Sequence, residues 1–373
     1  MLFLPTTYQQ KKHIIMKKKL VLCLFALGIV LTTANCNSKD DSPNEIIIPP
    51  IPEPEPEPEP VKEGTYNFKT FQKQIVAFGD GKNQSADKTV NLPTDIEKVQ
   101  AIKMYVQFDC PCNIWDVFAN VQVKDPKTGV WYEIGRYITP YGKDSSPLAR
   151  GLEFDVTDFK SVLTGPTELR IFTEVWGADG WLVSVDFDYI YGKPDFKYSA
   201  VTPILQYNKN SLEGVPYGEA HNFDLQKTIN VPQNAESTHI RTIISGWGHA
   251  TPLDQGGRGC AEWCFRTHQI KIDQQDAFQH VLGPIGCAAN PIKAQKGNWQ
   301  PDRAGWCPGM AVPTRIDILK NAKAGQSFAF EYYFEPWTNN MQATTDNKHA
   351  YYAISNFVVV KSNTPIEKAM VTD

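Results

Sequence analysis

The chain has 373 residues, 42% of them apolar and 21% charged, with a formal net charge of −4. No basic run accompanies that balance, which argues against nucleic acid as a partner. About three hundred residues follow the N-terminal segments described next, enough for two domains with cores of their own.

Residues 1–15 precede a better start at Met16, where three lysines lead into the apolar run 20–31 and then Thr32-Thr33-Ala34-Asn35-Cys36. A bilayer needs about 20 apolar residues, so this run is too short to span one and fits a secretory signal. Its end resembles a lipobox, with Cys36 as the lipid-modified first residue of the mature protein. Asn35 is unusual in that place, and plain cleavage to a soluble form is the alternative. Ser38-Lys39-Asp40-Asp41 resembles the acidic tag that sends some gram-negative lipoproteins to the cell surface. The expectation is an exported outer-membrane or cell-surface lipoprotein, otherwise secreted or periplasmic, that meets the membrane only through its anchor. From 42 to 60 the chain is mostly proline and acid, ending in Glu-Pro alternation. Proline removes donors and the glutamates repel, so a semi-rigid polyproline II stalk is expected.

Period-2 patterning dominates the rest, at 99–108, 131–138, 168–176 and 182–191, with turn signals such as Asp125-Pro126-Lys127-Thr128-Gly129 between. Gly192-Lys193-Pro194 breaks the series, and a second follows at 200–207, 239–247, 265–273, 315–319, 327–334 and 351–360. Helical periodicity is nearly absent. The expected fold class is all-β: two antiparallel jelly-roll sandwiches. The expected divisions are a leader and signal over 1–36, a linker over 37–64, and domains over 65–195 and 196–373.

Of eight cysteines, Cys23 leaves with the signal and Cys36 is the anchor, so six remain: Cys110, Cys112, Cys260, Cys264, Cys287 and Cys307. An even number in an oxidising compartment points to three disulfides, and spacing leaves fifteen pairings open. Zinc is the rival use, but no histidine sits at ligand spacing beside them. No metal or other cofactor is expected.

Three acids each have a tryptophan within two positions: Asp116 after Trp115, Glu174 before Trp176, and Glu262 before Trp263. An indole partly desolvates a neighbouring carboxylate and raises its pKa towards the range of a general acid or base. On residue types alone, each acid is more readily a solvated loop or strand-end charge. Arg303 could steady an oxyanion or simply pair with Asp302. The chain has no Gly-x-Ser-x-Gly elbow. His249 is isolated, and a lone histidine makes no metal site. With Trp247 and Trp306, the nine tryptophans of the chain offer faces for stacking on sugars, though core packing uses the same rings.

Two long strings of rare residues, Arg258-Gly-Cys-Ala-Glu-Trp-Cys-Phe-Arg-Thr-His268 and Pro301-Asp-Arg-Ala-Gly-Trp-Cys-Pro-Gly-Met-Ala-Val-Pro-Thr-Arg315, resemble the peptide:N-glycosidase F family. Shorter matches at 77–81, 115–116, 150–153, 214–218 and 244–250 extend the resemblance over about 66–365. It implies two eight-stranded antiparallel jelly rolls side by side, with Asp116, Glu174 and Glu262 as catalytic acids in the cleft between them. It also implies Arg303 as the cleft arginine, and the pairings Cys110–Cys112, Cys260–Cys264 and Cys287–Cys307. Substrate contact is expected from Trp115, Trp176, Trp247, His249, Trp263, Arg303 and Trp306. The implied reaction is hydrolysis of the β-aspartylglucosaminyl amide of N-linked glycoproteins and glycopeptides. A glycosylamine leaves from the chitobiose core and aspartate stays in the peptide. A monomer is expected. Two departures touch the site: Val117 stands where the family has an arginine, and the cysteine loop before Asp116 is shortened to Cys110-Pro111-Cys112.

Two rivals differ in class. A non-catalytic glycan-binding surface lipoprotein would use the same jelly rolls and tryptophans without needing an acid triplet. A copper monooxygenase would need paired histidines and a methionine ligand, which the isolated histidines do not provide.

Overall fold

Alternation of apolar and polar side chains builds the first sandwich. In Val99–Asp109 the inward set is Ile102, Met104, Val106 and Phe108, and in Trp181–Tyr191 every second residue from Trp181 onward is buried. One antiparallel sheet runs in the order Gly64–Val76, Trp181–Tyr191, Val99–Asp109, Leu152–Asp155. Facing it is Ser85–Leu92, Gly165–Thr173, Phe118–Lys124, Trp131–Ile138. The structure, a computed structural model, describes residues 62–208, 214–250, 260–338 and 350–373, without the side chains of Ala250 and Cys260. The expected signal peptide, the Cys36 anchor and the stalk over 42–60 lie outside the described residues.

The second sandwich uses residues from Tyr198 onward. One sheet runs Val215–Pro216, Tyr351–Ser362, Ser237–Trp247, Thr314–Ile318, with Tyr198–Tyr207 also on Tyr351–Ser362. The other runs Gln275–Leu282, Arg266–Ile272, Ser327–Tyr333, Gln226–Asn230, Met370–Thr372. Setting aside the very short strands Val215–Pro216 and Met370–Thr372, each sheet has four strands, the same plan as the first sandwich. All pairings are antiparallel, and the fold is two adjacent jelly rolls.

The strand Tyr351–Ser362 explains how the two sandwiches hold together. Both its faces are buried. Phe357 and Val359 belong to the core of the first sandwich, whereas Tyr352, Ile354, Val358 and Val360 belong to that of the second. Opposite faces of one strand therefore fill two different cores, a situation usual for a sheet covered on both sides.

Buried charged groups bridge that seam. The carboxylate of Glu133 and the guanidinium of Arg136, both fully buried, form a two-pronged pair with Arg136 Nε and Nη2 at 2.8 and 2.7 Å from the two oxygens. From the second sandwich, Asn208 and Ser355 donate to Glu133, and Arg136 Nη1 donates to Ser245 Oγ and to the Ala353 carbonyl. Burial alone would raise the pKa of Glu133, but Arg136 and these donors hold it below the usual carboxylate range. A second cross-seam cluster sets Asp158 against His239, Arg241 and Lys361.

Two expected disulfides form, Cys110–Cys112 and Cys287–Cys307. Cys264 is also disulfide-bonded, while its expected partner Cys260 has its side chain outside the described residues.

Removing one member of a buried pair strands the other charge at a cost of roughly 3–5 kcal/mol. Glu133→Gln should lose stability of that order in urea unfolding at pH 7. Because the folded pKa of Glu133 is depressed, its contribution is complete above about pH 4–5 and fades as pH falls through the folded value. A loss below about 1 kcal/mol at pH 7 would show that the seam does not depend on the pair.

Candidate active site

Asp116 sits in the segment between the Cys110–Cys112 bridge and the strand Phe118–Lys124, and backbone bonds on both sides fix it. Trp115 N–H donates to Asn113 Oδ1 at 3.0 Å, Val117 N–H donates to Thr139 Oγ1 at 2.9 Å, and Thr139 N–H returns to the Val117 carbonyl at 3.0 Å. Val117 is half-buried against the core of the first sandwich, so the residue that replaces the family arginine serves packing.

Glu262 comes from the second sandwich. The chain turns at Gly248, whose φ of 89° suits glycine, and His249–Ala250 then pairs with Cys260–Ala261 in a short ribbon. Glu262 follows that ribbon directly, with its N–H on the Gly248 carbonyl and its own carbonyl accepting from Ala304 N–H.

Arg303 joins the two acids. Its guanidinium is fully buried, with Nη2 at 3.5 Å from Asp116 Oδ2 and Nε at 3.5 Å from Glu262 Oε1. Nη2 also donates to Tyr141 Oη at 3.0 Å, and Nη1 to the Pro301 carbonyl at 3.0 Å. The rings of Trp263 and Trp306 lie 4.3 and 5.3 Å from the guanidinium carbon. The alternative pairing of Arg303 with its neighbour Asp302 fails for a clear reason. Asp302 Oδ1 accepts the N–H groups of Ile285, Gly286 and Cys287, which pins the loop instead. Asp302 also lies near Cys287 and Cys307 with metal-ligand spacing. Those sulfurs are spent in a disulfide and the carboxylate oxygen holds three donors, so the grouping is structural.

The electrostatics follow from burial. Asp116 and Glu262 are 11% and 14% exposed, dry enough to destabilise charge yet open to a water molecule. Burial first, and then the like charge of Glu262, push the Asp116 carboxyl up to about 7, against the pull of Arg303 and a hydrogen bond from Tyr141. Tyr141 is itself pushed up by burial and by Asp116. His249 is raised, first by its hydrogen bond to Glu262.

The remaining expected residues fall in three places. Trp115 and Trp176 are exposed, and Trp176 meets the exposed Phe78 edge-on at 5.2 Å. Trp263 and His249 stand beside Glu262. Trp306 is fully buried, with its indole N–H on the Gly246 carbonyl and its ring 4.8 Å from that of Trp247. It therefore supports Arg303 and Trp247 from beneath and offers no open face to a sugar. Glu174 is almost fully buried just past Gly165–Thr173. Its N–H donates to the Phe118 carbonyl, and its charge reaches Tyr351, so it flanks the Asp116 segment, whereas Glu262, Arg303 and Tyr141 act on Asp116 directly. Tyr141 was missed in the sequence: Thr139-Pro140-Tyr141-Gly142 reads as a turn, and nothing local says that its hydroxyl meets an arginine 162 residues away.

Known proteins resemble this chain over most of its length. A family profile described as Peptide-N-glycosidase F, C terminal, matches residues 217–359. Peptide-N(4)-(N-acetyl-beta-D-glucosaminyl)asparagine amidase F of Elizabethkingia miricola is 58% identical over 315 residues, covering 83% of this chain and 88% of the relative. The solved structure of PNGase F, described as a glycosylasparaginase from Flavobacterium meningosepticum, superposes with a TM-score of 0.81 at 58% identity, over 83% of this chain and all of that one. PNGF-II in a C2 crystal form shares the fold at a TM-score of 0.64 and 14% identity, over 81% of this chain and 66% of its own. With 58% identity over 83% of its length to an amidase of that name, the chain belongs to the peptide:N-glycosidase F family.

Proposed function

We propose that the protein is a glycoamidase that hydrolyses the β-aspartylglucosaminyl amide of N-linked glycoproteins, releasing the intact glycan as a glycosylamine and converting asparagine to aspartate. The observation that carries the reading is the pair Asp116 and Glu262, one from each sandwich, drawn together over a buried Arg303, with Asp116 poised near neutrality. Family membership supports the same reaction class.

Hydrolysis of this amide needs a proton taken from water, a carbonyl oxygen that tolerates charge, and a proton given to the departing nitrogen. A carboxyl with a pKa of about 7 is present in both forms at neutral pH, so Asp116 can accept the proton of the attacking water and return it to the amine. Glu262, tethered between His249 and Arg303, orients the water or the first sugar. Arg303 is too deeply buried for broad contact with substrate. Its part is to hold both carboxylates and to supply positive potential beneath the carbonyl oxygen, which weighs more in a dry site than in water. Trp115, Trp176 and Trp263 offer rings for the chitobiose core, with Trp247 behind them, and Glu174 contributes charge from the flank. The carboxylate-separation rule of glycosidases does not apply, because the bond cut is an amide. Two acids converging on one buried arginine, which a bare binding role would not need, favour the enzyme over a non-catalytic glycan-binding lipoprotein.

Localisation rests on the sequence alone. A lipid on Cys36 and a Pro/Glu stalk would hold a monomeric catalytic body off the outer surface of the cell. Mass spectrometry of the mature N-terminus should find an acylated Cys36, and a soluble product starting elsewhere would count against the anchor.

Asp116→Asn should reduce Asn-to-Asp conversion of a denatured glycoprotein by about 10²–10⁴-fold. Stability should move the other way. A carboxyl whose folded pKa is raised costs stability above its unfolded value near 4, so the amide should unfold no earlier than wild type at pH 8. A variant with near wild-type rates would remove Asp116 from the chemistry.

A further inference from the structure

His249 stands exposed at the mouth of the site, and one of its nitrogens has two partners with opposite demands. Nε2 is 3.0 Å from Glu262 Oε2 and 2.9 Å from the indole Nε1 of Trp263. A carboxylate oxygen only accepts, and an indole N–H only donates. A protonated Nε2 serves Glu262 and leaves the indole N–H to solvent. A bare Nε2 serves Trp263 and turns a lone pair towards the carboxylate. Both bonds cannot be made together.

A second orphan sits on the other side of Glu262. Arg303 Nε is buried without a hydrogen-bond acceptor among the described residues, and the nearest candidate, Glu262 Oε1, stands off at 3.5 Å. A buried N–H of a charged group left unpaired is costly. Glu262 thus lies between an imidazole that can hold it at the mouth and a guanidinium that would be satisfied if it moved inward by a fraction of an ångström.

We propose that His249 is a positioning residue for Glu262: protonated at Nε2 it draws the carboxylate outward, and bare at Nε2 it binds Trp263 and lets the carboxylate close on Arg303. The inference rests on the reading of Glu262 as one of the two site acids. The groups that face His249 are Glu262 and Trp263 from the turn after the ribbon, Arg303 from the loop beneath, and Asp116 from the first sandwich. Glu262 and Asp116 favour the imidazolium and Arg303 opposes it, and the sum raises the pKa of His249. Protonation is therefore complete below the ordinary histidine range and is lost as pH rises through a value above it. The ribbon register makes the arrangement stiff: His249 lies directly opposite Ala261, so the next residue, Glu262, is fixed alongside.

The test has two arms on the full chain. Long-range ¹H–¹⁵N correlation spectra, with His249 assigned by its loss in His249→Gln, report which nitrogen carries the proton. Above its transition His249 should be the Nδ1–H tautomer with Nε2 bare. In Trp263→Phe, which keeps a ring over Arg303 and deletes the competing donor, it should become the Nε2–H tautomer. A neutral wild-type His249 already protonated at Nε2, or a tautomer that ignores Trp263→Phe, overturns the proposal whatever the enzyme's substrate. In the kinetic arm, His249→Gln keeps a permanent donor towards Glu262, so kcat at high pH should fall roughly tenfold with KM little changed, as small misplacements do. The step in kcat at the transition should also vanish. A pH profile identical to wild type overturns the positioning role. Absence of any amide hydrolysis by the wild type would instead overturn the proposed function and leave the spectroscopic arm to decide this one.

Discussion

A guanidinium with no access to solvent has to be neutralised and hydrogen-bonded, or the fold around it fails. Arg303 is in that position, and much of the protein's local structure follows from holding it. The Cys287–Cys307 bridge and the three N–H groups on Asp302 fix its loop. Trp263 and Trp306, the latter tied to the Gly246 carbonyl, set their rings against it. Two carboxylates at 3.5 Å and the Tyr141 hydroxyl complete the surroundings. Single charged hydrogen bonds would be shorter than that. Arg303 thus attracts both acids without saturating either, so the mutual repulsion and desolvation of the acids survive in Asp116.

Such an arrangement needs both sandwiches in fixed relation, because Asp116 belongs to one and Glu262 and Arg303 to the other. The double-faced strand Tyr351–Ser362 provides it. Its alternate side chains lock into separate cores, and the Glu133–Arg136 pair pins the polar positions between them. A small third cluster of Ile138, Ile243, Trp306 and Val312 lies at the same junction and includes a ring that supports Arg303. Seam and site therefore share parts, and loosening the seam should alter the charge of Asp116 before it unfolds either sandwich.

The sequence made the well-alternating strands plain, since Val99–Asp109 and Trp181–Tyr191 bury mainly one face and carry the period of the pleat. Gly64–Val76 escaped because its register shifts around Phe71 and Lys73 adopts a φ of 47°, which breaks the alternation. Ser85–Leu92 escaped for a different reason: it is an edge strand, mostly exposed, with little apolar signal. The expected strand 168–176 in fact ends at Thr173, which moves Glu174 off the sheet and onto the flank of the Asp116 segment. Asp116 and Glu262 were legible through their tryptophans and through the family resemblance. Their shared guanidinium, Tyr141 and the contested nitrogen of His249 were not, because each is a contact between distant segments that no local pattern encodes.

Catalysis by this site depends on the charge of Asp116 once both sandwiches are assembled. Titration of ¹³C-labelled aspartate carboxyls by NMR, with Asp116 assigned by its loss in Asp116→Asn, measures that charge directly. The expected midpoint is about 7, and it should fall when Glu262→Gln removes the neighbouring negative charge. A midpoint in the ordinary aspartate range near 4, unmoved by Glu262→Gln, would contradict it.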